Sequence, residues 1–230
     1  SVSKLTKKPI ESAFLKQNKS LAIYSFSTSS TDTTKKRLQL QGFKTDSIRK
    51  GRSRIQIAKG WDWDDGGPQW RSVEFDSKNT QAHLPSFIEY TGLPYKDIQD
   101  EWKPAAWRKY YEKNPNGVVS IAAIRIVVAD LDAASDEFEK MGLEELESND
   151  NFVRFKISQN QELYVTTPKS SDDVLSKILK TNGPGVYSIC FNIKNLKETR
   201  DSLKKKLVGK AMFVDTVEKK LTILKKYAYG

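Results

Sequence analysis

Three stretches sharing one grammar predict an α+β protein of repeated strand–helix–strand modules, with mixed, curved sheets and helices on the outer face. Each stretch opens on a β-branched or aromatic strand, passes a polar cap and continues as an amphipathic helix. The first two then close on a glycine followed by an apolar residue.

The first copy runs as a strand from Leu21 to Thr28 and a helix from Asp32 to Gln41, closed by Gly42 and Phe43. The second runs as a strand from Ile124 and a helix from Asp132, closed by Gly142 and Leu143. The third places a strand over Tyr187 to Ile193 and a helix over Leu196 to Leu203, continuing to Gly209. Asp32 and Asp132 suit helix starts, because a short carboxylate accepts backbone N–H groups that have no partner inside the helix. Leu38 in the first helix, and Ala134, Phe138 and Met141 in the second, recur at helical spacing and form an apolar stripe. A glycine adopts the left-handed conformation that ends a helix.

Short strands follow each helix: Ser53–Ala58, Gln69–Phe75 and Leu84–Tyr90 after the first, Phe152–Ile157 and Glu162–Thr166 after the second, Ala211–Val214 and Lys220–Leu224 after the third. Most alternate apolar and polar residues, as half-buried antiparallel strands do. Asp65-Gly-Gly-Pro68 marks a turn. The stretch between the first two copies carries Pro94, Pro104 and Pro115 with Trp102, Trp107, Tyr110 and Tyr111, which suggests a connection packed against its neighbours. A further connection, 168–185, holds a short helix over 172–179. The expected domains are therefore residues 1–92, a linker at 93–117 and residues 118–230, the last divided into modules at about 118–168 and 183–230.

Composition narrows the function classes. No run approaches the roughly 20 apolar residues of a spanning helix, and the opening residues lack the apolar run of a signal peptide. Cytoplasmic residence and no membrane association are expected. The single cysteine, Cys190, lies in a strand that reads as buried, which suits a packed thiol. The net charge of +10 favours anionic partners. Its lysines are scattered and no nucleic-acid motif accompanies them, so nucleic acid is not the expected partner. Neither a glycine-rich phosphate loop nor a nucleophile elbow is present.

Several motifs in order carry a resemblance. Asp65-Gly66, then Trp70-Arg71, then Leu84-Pro-Ser-Phe-Ile-Glu89-Tyr90, then Asn114-Pro-Asn-Gly117 resemble the module end and linker of the glyoxalase-like domain family. Val128-Ala-Asp-Leu-Asp132 is also similar to its wider vicinal oxygen chelate superfamily, whose module is βαβββ. The resemblance covers residues 21–224. It implies modules paired side by side around a cleft, and members with four modules. Three are visible here, so the module at 21–90 lacks an internal partner. A longer chain, of which this is a fragment, is the favoured completion; a second copy in a homodimer is the other.

The superfamily's metal enzymes take histidines and glutamates from the first and last strands of paired modules. Here the equivalent first-strand positions hold Ala123, Arg125, Tyr187 and Ser188. The one histidine, His83, precedes a strand and reads as a surface or turn residue, and Glu162 reads as solvent-exposed. A cofactor is not evident, and a divalent metal has no histidine cluster to hold it. Among carboxylates Glu89 is the candidate, a charge within an apolar strand; the alternative is an outward-facing strand residue. Arg71 and Arg125 lie on strands, where an arginine facing a cleft clamps a carboxylate or phosphate bidentately. Trp70 and Tyr164 complete the ligand-binding candidates. The expected function is binding of a small anionic molecule between modules, without metal. A metal-dependent lyase, isomerase or dioxygenase is the alternative, and an interaction protein using the basic surface is the third.

Overall fold

The computed structural model describes residues 24–52, 55–56, 63–64, 69–76, 83–91, 117–204, 212–215 and 220–224. They fall into two compact units, one within Tyr24–Asn114 and the other within Pro115–Gly230. The turn expected at 65–68, residues 57–62 before it and the aromatic connection before residue 117 lie outside the described residues.

Capping sets where the first helix begins and ends. Strand β1 (Ser25–Ser27) leads to α1 (Thr31–Leu40). Ser30, in extended conformation, is the N-cap, and its hydroxyl accepts from Thr33 N at 3.2 Å. At the other end Gly42 takes φ 89°, and Phe43 N donates to Leu38 O at 3.0 Å. That bond closes a Schellman motif, in which a left-handed residue turns the chain back over the last turn. Asp32 is thus a first-turn acid rather than the cap, because Ser30 already occupies that position.

Strands β2 (Arg49–Arg52), β5 (Gln69–Val73) and β6 (Ser86–Thr91) complete a four-stranded sheet ordered β1-β6-β5-β2, with a small hairpin of β3 (Ile55–Gln56) and β4 (Trp63–Asp64) beside it in sequence. β1 and β6 run parallel; the other pairs are antiparallel. Strand β2 reads Arg-Lys-Gly-Arg and carries no apolar alternation, so only pairing with β5 reveals it. Leu38, Val73, Phe75 and Phe87 are buried where α1 meets the sheet, with Phe26–Phe87 and Phe43–Phe75 ring centroids 5.9 and 5.3 Å apart.

The second unit repeats the same module. β7 (Val118–Val127) leads through the N-cap Asp130, which accepts from Ala133 N at 3.0 Å, into α2 (Leu131–Lys140). Gly142 at φ 87° and the Leu143 N to Phe138 O bond close it as in α1. β8 (Glu144–Asn149), β9 (Phe152–Ser158) and β10 (Gln161–Thr166) follow in the order β7-β10-β9-β8, again with one parallel pair, β7 and β10. Phe138 is fully buried against Phe155, 5.7 Å between centroids, among Ile126, Leu163 and Val165. Burying each such side chain contributes about 1.5–3 kcal/mol. β8 escapes sequence reading because it is an edge strand with every residue exposed, and its glutamates suit an edge that must not recruit another chain.

α3 (Val174–Asn182), capped by Asp173, precedes β11 (Gly185–Ile193), α4 (Leu196–Lys204), β12 (Met212–Asp215) and β13 (Lys220–Leu224). β11 pairs antiparallel with β7, so first strands of successive modules join one seven-stranded sheet ordered β12-β13-β11-β7-β10-β9-β8. Among the described residues the third repeat is βαββ, with β13 antiparallel to β11 where the complete module has a parallel strand.

Candidate functional site

Alternation along the strands divides the candidates between two faces. In the first unit, Arg71 and Glu89 are register partners on the face that carries α1. Glu89 Oε2 accepts from Thr31 N at 2.8 Å and from Thr31 Oγ1 at 2.7 Å, at the start of α1. Those two bonds hold its carboxyl below the usual range; burial opposes them and Arg71 assists. Arg71 Nη1 lies 2.6 Å from Asp32 Oδ2 and 3.7 Å from Glu89 Oε2. The hydrogen bond with Arg71 likewise lowers the Asp32 carboxyl. Glu89 satisfies an otherwise unpaired N–H of the first helical turn and meets the positive end of the helix dipole. Its chemistry here is structural: it pins α1 to β6.

Trp70 projects from the other face, where its indole lies over Gly51 of β2 and occupies the space a Cβ there would need. Around it that face presents Ser72, Ser86, Ile88 and Tyr90. His83 is buried rather than on the surface, in a turn whose backbone carbonyl accepts from Tyr24 Oη at 2.6 Å.

In the second unit the helix-free face gathers polar groups on central strands. Arg125 of β7 sits with its guanidinium carbon 5.0 Å from the ring centroid of Tyr164, its register partner on β10. A cation over an aromatic face is held by the ring's quadrupole. Tyr164 Oη donates to Glu162 Oε2 at 3.0 Å. Arg154 of β9 lies 3.5 Å from Glu162 and 3.1 Å from Glu147. Burial lowers the Arg154 pKa, yet the Tyr164 hydroxyl and these carboxylates outweigh it and leave it raised. Phe152 meets Tyr164 with centroids 6.2 Å apart.

β11 supplies the remaining side. Its register with β7 shifts between Val186 and Ser188, so Tyr187 is an extra residue beside Arg125, which pairs with Ser188. Burial raises the Tyr187 pKa, offset by the Thr166 hydroxyl and the Arg125 charge. Ser188 is fully buried and its hydroxyl has no hydrogen-bond partner among the described residues; neither does Arg125 Nε. Cys190, buried, packs on Ala122 and Ala123 with Tyr164 against them.

The predicted set therefore splits. Arg125 and Tyr164 come together, Glu89 and Arg71 form a helix-pinning pair, and Trp70 stands alone on the opposite face of that sheet. Sequence reading missed Arg154 and Glu162 as partners, and took Glu162 as exposed, although its side chain is 23% accessible and ion-paired. One signal for it was available: Glu162 and Tyr164 are two apart on a strand and share a face.

Chelation requires converging donors. On the helix-free faces the first and last strands offer Ala123, Arg125, Glu162, Tyr164, Ser188 and Cys190 in the second unit, and Ser25, Ser27, Ser86 and Ile88 in the first. Among the described residues no group of three His, Cys, Asp or Glu side chains converges.

Two βαβββ modules of identical strand order, one joined through its first strand to a third repeat, define a paired-module protein of the glyoxalase type. The glyoxalase-like domain family matches residues 3–142, more than half of the chain, and the protein belongs to that family. No curated protein matches. A hypothetical protein from Staphylococcus aureus has a similar structure, with TM-score 0.52 at 13% identity, covering 70% of this chain. The present chain spans 59% of the length of that protein. Methylmalonyl-CoA epimerase from Mycobacterium tuberculosis is similar at 19% identity and TM-score 0.38, over 47% of this chain and 79% of its own. The Streptomyces coelicolor methylmalonyl-CoA epimerase follows at 23% and 0.39, over 46% of this chain and 87% of its own. Among the described residues no helix is long and apolar enough to cross a membrane.

Proposed function

We propose that this protein binds a small anionic molecule on the helix-free face of its second unit, anchored by Arg125 and not by a metal. One observation carries the reading. Of the arginines on β5, β7 and β9, Arg71 and Arg154 are each engaged by two carboxylates, whereas Arg125 has none among the described residues. It is instead stacked on Tyr164 and half-buried. A guanidinium held by an aromatic face, with donors still unassigned, is pre-organised for a carboxylate or phosphate. The site lies between strands of two successive modules, where this architecture brings first strands together.

Binding of naphthalene probes to the full chain tests the reading. Probes carrying a carboxylate or a phosphate, with neutral 2-naphthylmethanol as reference, are titrated into the native protein and into Arg125→Gln. At least one anionic probe is expected to bind better than the neutral one and to lose about tenfold or more in affinity in the variant, the scale of a charge-assisted hydrogen bond. Equal binding of all three probes, or an unchanged Arg125→Gln, would refute it.

A further inference from the structure

We infer that this site accepts one negative charge and rejects two, so that its ligand is a monocarboxylate with a flat apolar body, and that Glu162 is the specificity-determining residue. The inference rests on the anion-binding reading above.

The charges beside Arg125 are arranged by geometry. Tyr164 joins the two regions: its ring carries Arg125 and its hydroxyl meets Glu162 Oε2. Glu162 is therefore one phenol ring away from the guanidinium, within the reach of charge interactions at physiological salt. Arg154 is shared between Glu147 and Glu162, at 3.1 and 3.5 Å, so one guanidinium serves two carboxylates. Lys156, the register partner of Glu162, is matched by Glu144 at 2.9 Å. Arg125 is the one cationic group of this wall left without a carboxylate among the described residues. A monoanion neutralises it. A dianion would bring its second charge against Glu162, in a half-buried setting where like charges cost most.

The body of the ligand follows from the surroundings of the cation. Tyr164 and Tyr187 are half-buried beside Arg125, Phe152 packs on Tyr164, and aromatic rings favour flat apolar partners. Ser188, the register partner of Arg125, is fully buried.

The experiment compares 2-naphthoate with 2-naphthyl phosphate at pH 7.5, where the phosphate ester is predominantly dianionic. Titrations use the full-length native chain, Glu162→Gln and Arg125→Gln. Glu162→Gln keeps an oxygen acceptor for Tyr164 and removes only the charge. In the native protein naphthoate is expected to bind at least about tenfold more tightly than the phosphate ester. Glu162→Gln is expected to close that gap by strengthening phosphate binding, with naphthoate affinity changed less than about threefold. Tighter phosphate binding in the native protein overturns the inference while leaving Arg125-dependent anion binding intact. So does a gap that Glu162→Gln leaves unchanged. If neither anion binds better than 2-naphthylmethanol, the inference and the reading beneath it both fail. A near-ultraviolet circular dichroism spectrum matching the native one confirms that each variant is folded.

Discussion

At the residue scale, the same kind of side chain acquires different roles from its immediate partners. Arg71 and Arg125 both sit on strands and both looked like clamps. Arg71 is consumed by Asp32 and Glu89, whereas Arg125 rests on Tyr164. Glu89, lowered by its bonds from Thr31, stabilises the fold only while ionised. Its folded pKa lies below the unfolded value of about 4.3, so its contribution is complete above that pH and fades as pH falls through the folded value. Glu89→Gln should thus lower the urea midpoint at pH 7 and flatten its fall on acidification below about pH 4. Midpoints for the two proteins that stay parallel from pH 7 to pH 3 would exclude this. Gly51 makes a steric prediction. A methyl group there meets the Trp70 indole, so Gly51→Ala should cost about 1–3 kcal/mol in urea denaturation and shift tryptophan emission. Unchanged stability would mean that the indole has room to move.

At the scale of elements, each helix is a local decision secured by a distant contact. Ser30 and Asp130 cap starts, Gly42 and Gly142 turn the ends, and Leu38 and Phe138 dock the helices on their sheets. These terms differ in size. Asp130→Ala should cost about 1 kcal/mol, the worth of a cap, and Phe138→Ala about 3–5 kcal/mol, because it removes a filled core position. Thermal or chemical denaturation gives both, and a cap variant as damaging as the core variant would contradict the assignment. The elements that escaped the sequence share one physical cause. β2 and β8 have no apolar alternation, so nothing local marks them as strands; hydrogen bonds to β5 and β9 do. Helices α1, α2 and α4 emerge near their expected places because caps and stripes are encoded within a few residues.

At the scale of the whole molecule, two sheets repeat one topology and differ in the chemistry of the helix-free face. The four-stranded sheet presents serines, Ile88 and Trp70; the seven-stranded sheet presents Arg125, Tyr164, Glu162 and Arg154. On the metal-free reading proposed above, protein purified without chelator is expected to carry well below one equivalent of iron, nickel, manganese or zinc. Excess chelator should leave its melting temperature unchanged, whereas a resident ion would stabilise the fold by mass action. Stoichiometric metal by elemental analysis, lost together with stability on chelation, would reverse that conclusion. By itself the sequence determined the fold class, the three repeats, the helix boundaries to within a few residues and the family. Those signals are local: a cap, a glycine and an apolar period are each complete within a dozen residues. Tertiary structure alone decided which partner each of the charged candidates meets. Arg71 meets a glutamate 18 residues away, and Arg125 meets an aromatic ring 39 residues away. A one-residue change in strand register would exchange the faces on which they lie.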